Sequence, residues 1–342
     1  MKNERKVTMD DIAQKAGVTQ ATVSHVINGT AKISETVTKR VLRAAKELEY
    51  VPKKWSRVSR DRVKKTIGLL IPDVENGFYA EIAKGVETAM RRRGFMTFQC
   101  NTFYKSSYEK NYIKTLLQYN VSGVIVGYPM ASRESYNILL ENHLPTIIVD
   151  DRPKGMEELF SSVEINNLLG GQLAAEHLEK LGGKQICIAS EPVISSALEH
   201  RINGFCHMMA DMGKPIKNEY IYIEDSQYGK MEMGYNIGAK ILVDGSIDAI
   251  FATSDHVAFG IMKRLKEHNV RFPEDVMIMG YDDVNFAHLM EPSLTTISQP
   301  IDKLAEKGAE LLYENINNYA AEIEHITMDP CLVIRNSTMR IE

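Results

Sequence analysis

The sequence predicts a small all-α domain carrying a helix-turn-helix, followed by a larger α/β body of two similar lobes. Three observations carry that fold class. Residues 7–28, VTMDDIAQKAGVTQATVSHVIN, hold two short helical patterns with capping residues in place. Positive charge is crowded into the first 65 residues. Beyond them, short apolar segments alternate with segments of helical period, the signature of parallel sheets covered by helices.

The first helical pattern opens at Thr8, three residues before Asp11, the spacing of a capping box. Ile12, Ala13 and Ala16 fall on one stripe, Gly17 supplies a left-handed stop, and Val18 fills the turn. Thr19 then caps a second helix whose early residues Ala21, Thr22 and Val23 are small until His25. In such a motif the second helix enters the DNA major groove with its N-terminal residues against base edges. Val37, Val41, Ala44 and Leu48 recur at helical spacing and predict the core of a third helix behind Ser34.

Charge separates two regions. Residues 1–65 carry 16 Lys and Arg against 7 Asp and Glu, a net of +9, and the remainder carries 25 against 38, a net of −13. The chain total of −4 hides a basic arm on an acidic body. Basic residues on and after a helical domain favour phosphate contact, because each neutralised phosphate releases condensed counterions. The opening KNERK is polar, so no secretory signal is predicted, and no apolar run is long enough to span a bilayer. With Cys100, Cys187, Cys206 and Cys331 scattered without paired spacing, the expectation is reduced core thiols in a cytoplasmic protein.

In the body, segments 66–72, 97–101, 122–127 and 146–150 read as strands, with helices over 79–93 and 107–119 between them. The alternation resumes at 185–190, 221–223, 249–253 and 276–281, with a helix over 197–211. Ligands of such folds bind at the carboxyl ends of strands. No Gly-x-Gly-x-x-Gly follows a strand and no P-loop is present, which leaves a nucleotide enzyme without support. No nucleophile elbow or pair of catalytic acids stands out, and His200 and His207 lack a third metal ligand. No cofactor, metal or catalytic residue is predicted.

Taken in order, VTMDDIAQKAGVTQATVSHVING, SETVTKRVLRAAKELEYVP, IGLLIPD, FYAEIAKGVE, GGQLAAEHL, HRINGF, SDHVAFGIM, GYDD and PSLTTISQP give this chain a resemblance to the lactose/galactose-repressor (LacI/GalR) family of bacterial transcription regulators. The resemblance covers nearly the whole length. It implies a helix-turn-helix domain over 1–52, a hinge over 53–65, and a bilobed, periplasmic-binding-protein-like effector domain of two parallel sheets over 66–342. The chain is then expected to cross three times between an N-lobe of 66–164 and 295–322 and a C-lobe of 165–294 and 323–342. A homodimer on a pseudo-palindromic operator in double-stranded DNA follows from the same resemblance. The candidate dimer faces are the helix at 79–93 and the surface near 108–118, with Met90 and Leu116 equally readable as core. No leucine heptad follows the last motif, which argues against a tetramerising tail.

By position in the family motif, Gln20 is the first side chain of the recognition helix able to reach the groove, where its amide could pair with adenine. Ala21 offers only a methyl group. His25 stands where the family most often has Arg, and one imidazole donor cannot reproduce a two-pronged contact with guanine. Thr8, Thr19, Thr22, Asn28 and Ser34 are phosphate binders or caps that position the helix without reading sequence. In the hinge, Ser59 falls at the usual position of a minor-groove leucine wedge and cannot act as one. Arg57 and Arg60, in a run with Lys53, Lys54, Arg62, Lys64 and Lys65, supply phosphate attraction instead.

The effector site is expected between the lobes. Arg201 in HRINGF matches the family's ligand-gripping arginine, and Asp282 in GYDD an acidic ligand residue suited to vicinal hydroxyls. Ser254 and Asp255 follow an apolar strand, with Ser where the family often has Asn. Phe78 and Tyr79 are candidates to stack on a sugar face or a base, Asp150 closes a strand, and Tyr228 lies one residue from the usual aromatic wall. The resulting expectation is a repressor whose DNA affinity is set allosterically by a small polar metabolite, a sugar or sugar derivative first and a purine co-repressor second. The rival from another class is a metabolite sensor whose DNA reader is vestigial, supported by the departures at His25 and Ser59. A solute receptor of a transporter would need an export signal.

Overall fold

The computed structural model describes residues 7–28, 33–48, 65–128, 133–153, 155–193, 195–318 and 322–339. The N-terminal domain contains α1 (Met9–Ala16), α2 (Gln20–Asn28) and α3 (Glu35–Glu47). The Thr8 hydroxyl accepts from the Asp11 N–H while the Asp11 carboxylate accepts from the Thr8 N–H, closing the capping box. Gly17 has φ +62°, and the Val18 N–H reaches the Ala13 carbonyl, so the chain turns within two residues. Ile12, Ala13, Ala16, Val23, Val41 and Ala44 form the buried core, with Val18, Val37 and Leu48 packed against it. Lys15 and Glu47 pair at 2.8 Å, joining the first helix to the third.

Two six-stranded sheets make the body. The first runs in the order β11-β5-β4-β3-β1-β2, built from β1 (Thr66–Ile71), β2 (Met96–Asn101), β3 (Val124–Val126), β4 (Thr146–Asp150), β5 (Ser161–Ile165) and β11 (His325–Met328), all parallel. The second runs β12-β10-β9-β8-β6-β7, from β6 (Ile186–Ser190), β7 (Ile221–Ile223), β8 (Ala249–Ala252), β9 (Met277–Asp282), β10 (Thr295–Ser298) and β12 (Cys331–Val333). Among the described residues only the β10–β12 pair is antiparallel, with Thr296 opposite Val333. Around the first sheet lie α4 (Gly77–Arg92), α5 (Ser106–Gln118), α6 (Arg133–Glu141) and α11 (Ile301–Asn317). Around the second lie α7 (Asn167–Lys180), α8 (Ser196–Asp211), α9 (Lys230–Asp244) and α10 (Asp255–Lys266). Central strands are apolar on both faces, as a sheet covered on both sides requires; β4 is buried along its whole length. Met90 and Leu116 are both core.

The crossings differ from the sequence expectation. β10 belongs to the C-lobe sheet, so the chain returns to the N-lobe after residue 298 and not at 295. α11 then packs Leu304, Ala305, Ala309 and Leu312 into the N-lobe core. β11, placed by the sequence in the C-lobe tail, pairs instead with β5 of the N-lobe, and the last crossing falls between Met328 and Cys331. The reason is non-local: TTIS and HITM are alike as short strands, and only the free edge each one finds decides its sheet. The four cysteines are unpaired, but Cys331, expected in the core, is exposed.

Candidate effector cleft and DNA-reading helix

Successive βα connections bring polar groups to one seam between the lobes. Asp150 ends β4 at φ +83° and Asp282 ends β9 at φ +112°. Neither is glycine, and a non-glycine residue held there stores about 1–3 kcal/mol, a strain that recurs at functional sites. Arg201 lies one turn into α8 and is buried. Its Nε donates to Asn167 Oδ1 at 2.8 Å, and Nη1 donates to the Thr253 carbonyl at 2.9 Å and to Asp282 Oδ1 at 3.2 Å. The guanidinium stacks on the Tyr281 ring, 3.7 Å from its centroid, and the Tyr281 hydroxyl donates to the same Asn167 oxygen at 3.1 Å. Gln299 Nε2 adds a 2.7 Å bond to Asp282.

Burial opposes the charge on Arg201, but Asp282, Tyr281, Asp150 and Glu191 outweigh it and hold its pKa above the ordinary value. Glycines make the placement possible. A Cβ on Gly171 would collide with the Arg201 carbonyl oxygen, and one on Gly204 with the Leu168 carbonyl oxygen, so α7 and α8 cross in backbone contact.

The N-lobe side is aromatic. Phe78 and Tyr79 open α4, edge to face at 5.0 Å between centroids. Tyr128 follows β3 and meets Tyr79 at 6.3 Å and Tyr104 at 5.4 Å. The Tyr79 hydroxyl approaches Asp150 Oδ2 at 3.4 Å, and burial pushes the Asp150 carboxyl up to about 7. Across the seam, the Asp151 carboxylate accepts from the Ser196 N–H at 3.1 Å and from its hydroxyl, capping α8 from the other lobe. Asn285 Nδ2 reaches Glu81 at 2.8 Å, a second bridge between lobes. Lys230 and Glu191 form an ion pair at the C-lobe rim.

The structure therefore brings together Phe78, Tyr79, Asp150, Arg201 and Asp282. Three other expected effector residues are placed elsewhere or otherwise occupied. The Ser254 hydroxyl caps α10 through the Val257 N–H at 3.4 Å. Asp255 is fully buried, accepting from the Val284 N–H at 2.9 Å and the Thr296 hydroxyl at 2.6 Å, so both oxygens serve the fold. Tyr228 is 78% exposed, and Lys230, two residues on, is the side chain that reaches the rim. Sequence reasoning missed Tyr104, Tyr128, Asn167, Glu191, Lys230 and Gln299. Gln299 was signalled by its place in PSLTTISQP, and the others sit in or beside connections whose convergence only the tertiary fold reveals.

At the DNA end, Gln20, Ala21 and His25 are exposed on α2. Thr19 accepts from the Thr22 N–H at 3.2 Å and exchanges a 2.9 Å bond with its hydroxyl, so Thr19 caps α2 and Thr22 lies in its first turn. Thr8 and Ser34 stand at the entries to α1 and α3, the Ser34 carbonyl accepting from Thr38. Asn28 closes α2. Arg57, Arg60 and Ser59 lie outside the described residues.

Residues 64–336 match the family described as periplasmic binding proteins and sugar binding domain of LacI family, and residues 8–53 match bacterial regulatory proteins, lacI family. The chain belongs to the LacI family. It is 31% identical over 345 residues to the HTH-type transcriptional repressor PurR of Vibrio parahaemolyticus, covering 98% of this chain and 99% of that protein. Among solved structures, the transcriptional regulator CelR in complex with cellobiose matches with a TM-score of 0.73 at 28% identity, over 97% of this chain and all of that one. A LacI-family regulator from Enterococcus faecium with bound ribose matches at 0.72 and 29% identity, over 81% of this chain and all of that one. This LacI-family chain is thus a DNA-binding transcription regulator whose relatives are repressors, not enzymes, with effector domains that hold small molecules. Among the described residues no helix is long and apolar enough to cross a membrane.

Proposed function

We propose that the protein is a cytoplasmic, homodimeric repressor that reads a pseudo-palindromic operator and is switched by a small hydroxylated metabolite held between its lobes. One observation carries this reading: the buried Arg201–Asp282–Gln299 network sits at strand ends facing a wall of tyrosines, in a chain that also presents a recognition helix capped at its N-terminus. Carboxylate and guanidinium on one side and ring faces on the other suit a ligand with vicinal hydroxyls. The bridges Asp151–Ser196 and Glu81–Asn285 tie one lobe to the other. A ligand that binds the bridged and unbridged arrangements unequally shifts the hinges, and thereby the spacing of two recognition helices.

A second copy has a surface suited to it. Met96, Phe98 and Tyr119 are exposed on and beside the edge strand β2, with Phe98 and Tyr119 6.0 Å apart, and Tyr108 on α5 is also exposed. An exposed apolar patch on a sheet edge is a natural dimer contact. Phe78 and Tyr79 keep the purine alternative in view as paired rings, although both pack into the N-lobe core.

The test is selection of duplexes from a random DNA pool by the full-length protein, with and without a panel of sugars and nucleobases. A two-fold symmetric site whose retention changes with one ligand supports the reading. Enrichment of no sequence under any condition overturns it in favour of a sensor with a vestigial reader. Gln20→Ala should alter base preference at one or two positions, a discrimination worth about 1–3 kcal/mol for a two-bonded contact.

A further inference from the structure

We propose that the effector carries a cationic amine, an ammonium group on a hydroxylated small molecule, which docks on Asp150 against the tyrosine wall. The proposal rests on the reading of the interlobe seam as the effector site and names the chemical class that site takes.

Among the described residues, the two cations that act on Asp150 are Arg201 and Lys230, and both are already committed. Arg201 donates to Asp282 and to two further oxygens, and Lys230 is paired with Glu191. Asp151 is satisfied by the N–H and hydroxyl of Ser196. Asp150 has no such partner. It is 5% exposed, its Oδ2 receives only the long 3.4 Å approach of Tyr79, and its Oδ1 is buried with no hydrogen bond. Native proteins rarely leave a buried carboxylate oxygen unpaired, so a missing donor is the simplest account of it.

The groups around Asp150 decide what kind of donor. Asp151, Asp282 and Glu191 put further acidic charge on the seam; burial opposes the charge of both cations, but Asp282, Tyr281, Asp150 and Glu191 hold Arg201 above its ordinary pKa, and Glu191, Tyr104 and Asp282 do the same for Lys230. A phosphate or carboxylate ligand would meet like charge at Asp150, Asp151 and Asp282. A neutral hydroxyl would satisfy the oxygen but add nothing to offset the burial that disfavours the charged carboxylate. An ammonium supplies three donors and the opposite charge together. Tyr79 reaches Asp150 through its hydroxyl, and Tyr128 and Tyr104 continue the aromatic wall from it, a surface that attracts a cation more than a hydroxyl. Gln299 Oε1, a second buried acceptor without a partner, belongs to the same network because the Gln299 Nε2–H donates to Asp282, and it suits another N–H or O–H of the ligand.

The test is calorimetric titration of the full-length protein with D-glucosamine, D-galactosamine and D-glucamine. Each is run against its hydroxyl parent, the hexosamines also against their N-acetyl derivatives, and glucose 6-phosphate serves as the anionic control. An amine binding about tenfold or more tighter than its parent and its N-acetyl derivative is the expected result, the size of one charge-assisted bond. In Asp150→Asn that preference should vanish, with far-ultraviolet circular dichroism confirming the fold. Asp150→Glu should retain part of it. Equal or tighter binding of a parent or the phosphate, an amine preference that survives Asp150→Asn, or no binding by any amine each overturns the proposal. A neutral sugar that binds wild type and fails to bind Arg201→Ala would sink the amine while leaving the interlobe site standing. Neutral-sugar binding unaffected by Arg201→Ala would remove the interlobe site as well.

Discussion

The two lobes share one strand-helix plan yet bring opposite chemistry to their common seam. The C-lobe wall is a polar network in which Arg201, Asp282, Asn167, the Thr253 carbonyl and the Gln299 amide nitrogen bond one another, with Gln299 Oε1 left open. The N-lobe wall is made of rings, with one carboxylate, Asp150, left half-satisfied among them. One wall is therefore preorganised by hydrogen bonds that exist without ligand, and the other by aromatic packing that leaves a polar group waiting. The first should resist substitution poorly and hold its geometry well. The second should tolerate substitution and show its cost in charge.

The largest expected effect breaks the polar network. Arg201→Ala leaves Asp282 buried without its cation and should cost about 3–5 kcal/mol of stability, because a broken buried pair strands a charge. Denaturant midpoints of the effector domain measure it, and the variant should also lose any ligand response while the recognition helix stays folded. A stability change below 1.4 kcal/mol (about tenfold in the equilibrium constant) would mean that the network is not the anchor described.

Next comes the waiting carboxylate. Burial raises the Asp150 pKa in the folded protein to about 7, above that of the unfolded chain. The stability linked to its neutral form is complete below the unfolded pKa and is lost as pH rises through about 7. Tyr79, Tyr128, Asp151, Asp282, Arg201 and Lys230 are the titratable groups around it. Asp150→Asn should thus match wild type near pH 4 and become the more stable protein by pH 8, with about 1.4 kcal/mol for each unit of raised pKa. Melting curves across that range would show parallel profiles if Asp150 were well paired.

A smaller effect tests how the polar wall is positioned. Gly171→Ala pushes a methyl group into the Arg201 carbonyl and should cost about 1–3 kcal/mol by overpacking, with weaker ligand binding as Arg201 shifts. The smallest is Tyr79→Phe, which removes a 3.4 Å bond and keeps the ring; less than about 1 kcal/mol is expected. A larger loss would make that hydroxyl the true partner of Asp150.

The same contrast sets what could be read from sequence. Thr8, Asp11, Gly17 and Thr19 announce the recognition motif because capping is local, decided within three or four residues. Arg201 and Asp282 were legible through their motifs, and the network confirms that they meet. Tyr104, Tyr128 and Glu191 were not legible, since each lies in a separate connection and only the approach of the two sheets brings them to one seam. Ser254 and Asp255 sit at a strand end as expected, but a helix cap and a buried Thr296 hydroxyl claim their oxygens. The strand at 325–328 was assigned to the wrong lobe because its destination depends on an edge 160 residues earlier in the chain, next to Ser162.

That exchange of edges has a consequence for biosynthesis. When the ribosome has made residues up to 294, the N-terminal sheet still lacks β11 and the whole apolar face of α11, and the C-terminal sheet lacks both β10 and β12. Neither lobe can be finished before the other is nearly finished, as residues 295–333 run back and forth between them to close both. The helix-turn-helix, by contrast, is complete within its first fifty residues. A nascent chain would therefore present a folded DNA reader long before it has an effector domain to govern it.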